Sequence, residues 1–265
     1  MDILQAAFLG LVQGLTEFLP VSSSGHLLLL REIFDIKEAP LLFETALHVG
    51  TLAAVVFVLR RDILALLQKP FQPLVLYLIV ATLPAVIAAL AFEKQLDAIF
   101  RGGIYLGFAF LGTSALLSMA EILSARAAKV GLKRAEGLKL PDALLIGICQ
   151  AVAIVPGISR SGATLSGALA RGLDRNLAAR FSFLLSIPVI LGAALLQSIR
   201  LLRSGGSLAD GIGLPALAVG TLVAAVTGFF AVRIMLRIVT RRSLWGFALY
   251  TGILGIAVIV WQLAV

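Results

Sequence analysis

Five runs free of charged residues approach or exceed the roughly 20 residues an apolar helix needs to cross a bilayer: Pro70–Phe92, Gly102–Ala120, Phe181–Ile199, Gly211–Val232 and Ser243–Val265. A sixth, Leu41–Leu59, is interrupted only by Glu44. Two further apolar segments are broken in the middle. Leu4–Leu30 contains "QGLTEFLPVSSSGH", with Gln13, Glu17, Pro20, three serines, Gly25 and His26, and the second contains "VPGISRSGAT", Val155 to Thr164. Pro removes a backbone donor and Gly- and Ser-rich sequence unwinds, so neither segment continues a regular helix. Broken backbone at membrane depth is tolerated only where protein or water covers it. The pattern predicts an all-α integral membrane protein in a single membrane domain, 1–265. It has six transmembrane helices plus two re-entrant helical hairpins, at about 4–30 and 143–170.

Composition agrees. The chain is 60% hydrophobic and 14% charged with mean hydropathy +1.05, values a soluble domain with a polar surface does not reach. The net charge of +8 would suggest nucleic acid in a soluble protein. Here no nucleic acid partner is expected, because Lys and Arg crowd cytoplasmic loops. With both motif segments returning to the side they entered, one side holds Arg60, Arg61, Lys69, Arg126, Lys129, Lys133, Arg134, Lys139, Arg171, Arg175, Arg180, Arg233, Arg237, Arg241 and Arg242. The other holds Arg31, Lys37, Lys94, Arg101, Arg200 and Arg203. The first set is assigned to the cytoplasm and both termini to the outside. An eight-span arrangement changes sides after each motif and is not excluded by charge; the local chemistry of the motifs argues against it. Cys149 is the single cysteine, which excludes an internal disulfide and a cysteine metal cluster. Met1-Asp2 leads directly into apolar sequence with no basic region, so a removable signal peptide is not expected.

Laying one motif on the other at an offset of 137 residues matches Gln13 with Gln150, Ser22 with Ser159, Ser24 with Ser161 and Gly25 with Gly162. Each is followed by three spans. Halves of 1–135 and 136–265, each one hairpin and three spans, would be inserted upside down relative to one another. This is an inverted-topology repeat, in which paired broken segments build a site near the midplane.

If the hairpins meet, Glu17, Ser23 and His26 face Ser159, Arg160, Ser161 and Thr164. Ionisable groups inside a membrane are costly and are functional candidates by default. Arg160, flanked by serines and by Gly157 and Gly162, offers a guanidinium fork with hydroxyl and amide donors, a set that fits phosphate oxygens. Glu17, Ser23 and His26 supply a nucleophile, a proton carrier and a carboxylate that can orient a base or hold a divalent cation. Gln13 lies one turn before Glu17 and adds a neutral oxygen ligand. Plainer readings stand beside these. Arg160 and Glu17 could form a buried ion pair that only fastens the hairpins, and His26 could lie at an interface. Glu44 and His48, four residues apart, read as a structural pair or as support around the site. Ser22 and Ser24 read as loop hydrogen-bonders that touch phosphate rather than as nucleophiles.

"QGLTEFLPVSSSGH" and "PGISRSGAT" closely resemble the two signature motifs of the undecaprenyl-pyrophosphate phosphatase family, also called the bacitracin-resistance protein family. "FETALHVGTLAAVVFVLRRD" and "RFSFLLSIPVILGA" look like its flanking helices, so the resemblance covers most of the chain. It implies hydrolysis of undecaprenyl pyrophosphate, a polyprenyl pyrophosphate, to the monophosphate and inorganic phosphate, recycling the lipid carrier of cell-wall synthesis. It also implies a divalent cation, Mg2+ or Ca2+, a bacterial inner membrane location among membrane lipid, and a site open to the periplasm. Glu17, Ser23, His26 and Arg160 fall on the family's functional positions. One departure is Gln13, where many members carry Glu.

Two assignments of the nucleophile remain open: Ser23 with Glu17 taking its proton, or His26 with Ser23 as a phosphate ligand. A different class of function, an inverted-repeat transporter or flippase for a phosphorylated lipid, fits the same architecture. Small residues in "TLVAAVTGFFAV" and "GILGIAV" pack helices within one chain or across a homodimer.

Overall fold

The structure is a computed structural model and describes residues 1–34, 36, 41–92, 105–203 and 212–264. The sequence expectations at Lys37, Lys94, Arg101, Gly102, Gly211 and Val265 lie outside the described residues. Within them the chain is helical, without a strand; a lone parallel bridge joins Lys133 to Leu173.

The first broken segment is α1, Ile3–Thr16, and α2, Ser23–Ile33. Asp2 caps α1 by accepting the Gln5 N–H at 2.7 Å, and Gln5 Oε1 accepts the Asp2 N–H in return at 3.1 Å. Pro20 cannot extend the helix, and Ser22, at φ 71°, turns the chain. Ser22 Oγ then caps α2 by accepting from the Gly25 N–H at 3.2 Å.

The second broken segment is α7, Leu140–Val152, and α8, Arg160–Ala170. Gly157, at φ 88°, makes the turn, and Ser159 Oγ accepts the Gly162 N–H at 3.0 Å. The boundaries of α2 and α8 coincide at the 137-residue offset read from the sequence, as do their capping serines.

Between these lie α3 (Leu41–Val58), α4 (Arg60–Gln68), α5 (Pro73–Ala91) and α6 (Tyr105–Val130); after them come α9 (Arg175–Arg203), α10 (Leu214–Arg241) and α11 (Trp245–Ala264). Five helices, α5, α6, α9, α10 and α11, are long and apolar enough to cross a membrane, and α3 with α4 makes a sixth candidate bent by 74°. The sequence places Arg60 to Lys69 in a loop. The chain instead turns at Leu59 into an amphipathic helix, α4, whose Leu64 and Leu67 are exposed beside Arg60 and Arg61. That composition suits the membrane surface better than a solvated loop. The helices α6, α9 and α10 also run past the expected span ends by one to three turns, and Glu121, Arg175 and Arg180 in those extensions find partners.

Those partners cluster at the Lys- and Arg-rich end. Asp142, fully buried, accepts from Lys133 Nζ at 2.8 and 3.0 Å, from Arg171 Nε at 2.6 Å and from the Lys139 N–H at 3.1 Å. Glu121 accepts from Arg175 at 2.6 Å and from the Leu244 N–H at 2.7 Å, and Arg180 grips both oxygens of Asp62.

Packing crosses the midpoint of the sequence. Helix α1 lies on α10 and α7 lies on α5, so each broken segment rests on a long helix from the other half. Helices α6 and α11 pair, α3 packs on both α10 and α9, and α8 fills the space beside α6, α7 and α9. The crossings are close because glycines remove side chains there. A Cβ on Gly147 would stand 2.6 Å from the Ala81 carbonyl oxygen and 2.9 Å from its Cα. Backbone cannot give way as a side-chain tip does. Gly147→Val should therefore lower the melting temperature in detergent, at a cost of about 1–3 kcal/mol for overpacking. Gly112→Val, on α6 with nothing within 4 Å of its Cβ, should leave it near that of the parent.

Candidate active site

Glu17 follows α1 directly, its N–H bonded to the Gln13 carbonyl at 2.9 Å, and is 7% exposed. Its carboxylate is spoken for by residues from distant parts of the chain. Oε1 accepts from Arg160 Nη2 at 2.5 Å. Oε2 accepts from Ser23 Oγ at 2.7 Å and from Gln13 Nε2 at 2.9 Å. The same Gln13 amide lies 3.0 Å from His48 Nδ1, which itself stands 3.6 Å from Glu17 Oε2. Arg160 is also held 5.9 Å above the Phe18 ring.

The two turns reach each other beside this group. Ser161 Oγ donates to the Leu19 carbonyl at 2.9 Å, the Gly157 N–H donates to Ser24 Oγ at 3.4 Å, and the Ser159 N–H donates to Thr113 Oγ1 at 3.0 Å. Gly25 has to be glycine, since a Cβ would meet Phe110 at 2.7 Å and Gly157 Cα at 3.2 Å.

Above the junction opens a cavity lined by Glu17, Ser22, Ser23, Ser24, His48, Ser159, Arg160 and Gln197, with Ala153, Ile158, Val189, Ile190, Ala193 and Ala194 as its apolar side. Two helix N-termini, of α2 and α8, border it, so hydroxyls, a guanidinium and the positive ends of two helix dipoles share one space. Arg160 Nη1 is buried without a partner. An orphaned guanidinium N–H beside a cavity is a donor waiting for an anion.

Six of the residues singled out in the sequence line this space: Glu17, Ser22, Ser23, Ser24, Ser159 and Arg160. Gln13 stands behind Glu17. Gly157 shapes the turn, and Ser161 and Thr164 spend their hydroxyls on packing, Thr164 with Ser182 Oγ at 2.6 Å and its own helix. His26 is not among the lining residues. Its Nδ1–H donates to the Ser22 carbonyl at 2.7 Å, and its Nε2 accepts from the Tyr250 hydroxyl at 2.7 Å, the two rings stacked at 5.8 Å.

Sequence reading undervalued His48. It points to Gln13 and the cavity, while Glu44 takes Arg31 at 2.6 Å. Its signal was present: an ionisable side chain in an apolar span. Gln197, bonded to Thr45 at 2.5 Å, carried no such signal, being a neutral residue near the end of a long helix.

Among the described residues no group of three or more His, Cys, Asp and Glu side chains gathers as for a transition metal. A hard cation asks for less. Gln13 is fully buried and its Oε1 has no partner, while its Nε2 is the atom turned to Glu17. Turning that amide over would set a neutral oxygen beside the carboxylate, and the two, completed by phosphate oxygens and water, would make a set that magnesium or calcium accepts.

The family model described as "Bacitracin resistance protein BacA" matches residues 6–257. The chain is 46% identical over 264 residues to the undecaprenyl-diphosphatase of Carboxydothermus hydrogenoformans, covering 100% of this chain and 99% of that one. It is 45% identical to undecaprenyl-diphosphatase 4 of Bacillus cereus over 262 residues, 99% and 98% of the two chains. With the undecaprenyl-diphosphatase of Methanobrevibacter smithii it shares 38% over 279 aligned residues, 97% of each. The chain belongs to the bacitracin resistance protein BacA family.

Proposed function

We propose that this chain is a membrane phosphatase that hydrolyses undecaprenyl pyrophosphate to undecaprenyl phosphate and inorganic phosphate, recycling the lipid carrier for cell-wall synthesis. The observation that carries the chemistry is Ser23 Oγ held 2.7 Å from Glu17, with Arg160 on the other carboxylate oxygen. The full-length identity to named undecaprenyl-diphosphatases supports the substrate.

The pyrophosphate enters the cavity and takes the free Arg160 Nη1, the serine hydroxyls and the amides at the two helix N-termini, which neutralise charge developing on the transferred phosphoryl group. Ser23 Oγ attacks the terminal phosphorus as its proton passes to Glu17 Oε2. The bond from that phosphorus to the bridging oxygen breaks, Glu17 passes the proton on to the leaving phosphate, and undecaprenyl phosphate departs. Water, giving its proton to the again ionised Glu17, then attacks the phosphorus on Ser23; the Oγ–phosphorus bond breaks, Glu17 returns the proton to Ser23 Oγ, and inorganic phosphate leaves. His48, its Nδ1 3.6 Å from Glu17 Oε2 and 3.0 Å from Gln13 Nε2, positions the carboxylate. His26 has both ring nitrogens engaged; it holds the strained Ser22 turn, and through it Ser23, rather than attacking. Glu17, with Gln13 Oε1 once that amide is turned over, would hold the divalent cation, which when bound supplies further neutralisation of the phosphate oxygens. A carrier of phosphorylated lipid would have no need of a hydroxyl poised on a carboxylate.

The membrane arrangement belongs to the same reading. Helices α1 and α7, of 14 and 13 residues, are about 20 Å long and α2 and α8 about 16 Å, too short for a hydrocarbon layer of about 30 Å. Each pair is a re-entrant hairpin, and the halves 1–135 and 136–265 form an inverted-topology repeat. The exchanged packing of α1 on α10 and α7 on α5 supports this. The Lys- and Arg-rich end faces the cytoplasm, and the termini and cavity face the periplasm across the inner membrane.

Phosphate release from undecaprenyl pyrophosphate in detergent tests the chemistry. Ser23→Ala, Glu17→Gln and Arg160→Ala should each lower kcat by about 10²–10⁴-fold, the range for losing a general base or a charge-stabilising donor, and a chelator should abolish release. Variants near parental rate would sink the assignment. His48→Leu should lose about tenfold, about 1.4 kcal/mol of barrier. For topology, cysteines placed in a Cys149→Ser background answer directly. Gly213→Cys should react with an impermeant maleimide in intact spheroplasts, and Arg134→Cys only after permeabilisation.

A further inference from the structure

A second polar cavity lies at the opposite end of α3, where it bends into α4, and its chemistry is unlike the first. It is lined by Phe57, Val58, Arg60, Arg61, Phe229 and Arg233. Phe57 is nine residues from His48 on one helix, about 14 Å further along it at 1.5 Å per residue. Three guanidinium groups therefore border one space without a carboxylate in its lining. The nearest acid in sequence, Asp62, is taken by both contacts of Arg180. Among the described residues Arg60, Arg61 and Arg233 form no ion pair. Arg60 donates only to the Phe57 carbonyl at 3.0 Å. Arg60 and Arg233 are instead laid on aromatic faces, 4.8 Å from the Phe57 centroid and 5.2 Å from the Phe229 centroid, and those rings are 5.8 Å apart. Stacking holds the flat sides of the guanidinium groups and leaves their N–H edges for a ligand.

Three like charges kept together with no anion among them repel one another, so the arrangement asks for a counter-charge. The N–H edges ask for a planar or tetrahedral oxyanion, and phosphate takes such forks bidentately. The rest of the lining is apolar, and a neighbouring groove that shares Arg233 adds Phe230 and Ile234, both exposed. A free ion in water has no use for that surface, but a headgroup with acyl chains does. Arginine pockets between helix ends on the cytoplasmic side suit anionic lipid headgroups.

We propose that this cavity binds the phosphate of an anionic phospholipid headgroup, with the acyl chains against Phe229, Phe230 and Ile234. The proposal rests on the reading above only in that this end of the bundle meets a headgroup layer, and it is independent of the hydrolytic chemistry.

Native mass spectrometry of the full chain released from nanodiscs of equal phosphatidylglycerol and phosphatidylcholine tests it. Both leaflets are alike there, so the result does not depend on orientation, and lipid retention is read apart from turnover. The parent should retain phosphatidylglycerol about fivefold or more over phosphatidylcholine. Arg60→Gln/Arg61→Gln/Arg233→Gln should bring the ratio close to one while phosphate release stays parental. Equal retention of the two lipids by the parent would overturn the proposal without any variant. So would an unchanged preference in the triple variant, or loss of bound phosphatidylglycerol to millimolar inorganic phosphate, which would mark a site for the free ion. Should the triple variant fail to fold, Phe229→Leu/Arg233→Gln replaces it, with a fall in the ratio supporting the site and no fall counting against it.

Discussion

A carboxylate buried among apolar helices is the constraint on which this structure turns. Glu17, with only 7% of its surface exposed, would be ruinous alone at this depth. It is stabilised by donors from three directions: Arg160 across the sequence midpoint, Ser23 across its own turn and Gln13 from the turn below. Ser23 and Arg160 can be there only if the helix ahead of each breaks at the right depth. The breaks, the serine caps and the glycine contacts between the turns follow from that requirement. Burial strengthens every charge-assisted bond to the carboxylate, and the same burial makes Arg160 a strong anion ligand once an anion arrives.

The two broken segments share a frame and divide the chemistry. At matching positions Ser22 and Ser159 cap α2 and α8, and each pairs with the serine two residues on, at 3.3 and 3.2 Å. Gln13 and Gln150 are both buried with an unpartnered Oε1. The first helical residues differ: Ser23 opens α2 and Arg160 opens α8. Glu17 faces Ile154 in the alignment of the two motifs, and His26 faces Ala163. One segment thus brings the serine and the carboxylate, the other brings the guanidinium. A frame that approached perfect symmetry would bury two carboxylates or two arginines without the opposite charge that now offsets each, and like charges brought together in a low dielectric repel.

Much of this was legible in the residues because the chemistry needed to break a membrane helix is conspicuous. Pro, Gly and a run of serines inside apolar sequence mark both helix breaks to within a few residues, and Glu17, His26 and Arg160 are the ionisable groups beside them. What could not be read were the directions of side chains. Helical spacing offers His48 either Glu44 or a place around the site; Arg31, 13 residues from Glu44, takes that carboxylate, and the imidazole turns to Gln13. His26 turns to Tyr250, 224 residues away on a helix with no polar motif to announce it. The bend at Leu59 was hidden because "LRRDILALLQ" serves a surface helix and a charged loop equally well until the packing of α3 is known. These are long-range choices, and local pattern does not carry them.

The pairing of Glu17 with Arg160 is the central claim, and a double-mutant cycle on melting temperature in detergent tests it most directly. Removing one member of a buried pair strands the other's charge, which is worse than removing both. Glu17→Gln and Arg160→Gln should each lower the melting temperature, and the double variant should melt no lower than the less stable single one. Losses that simply add would contradict the pair, and with it the view that the carboxylate joining the two halves is also the floor of the site.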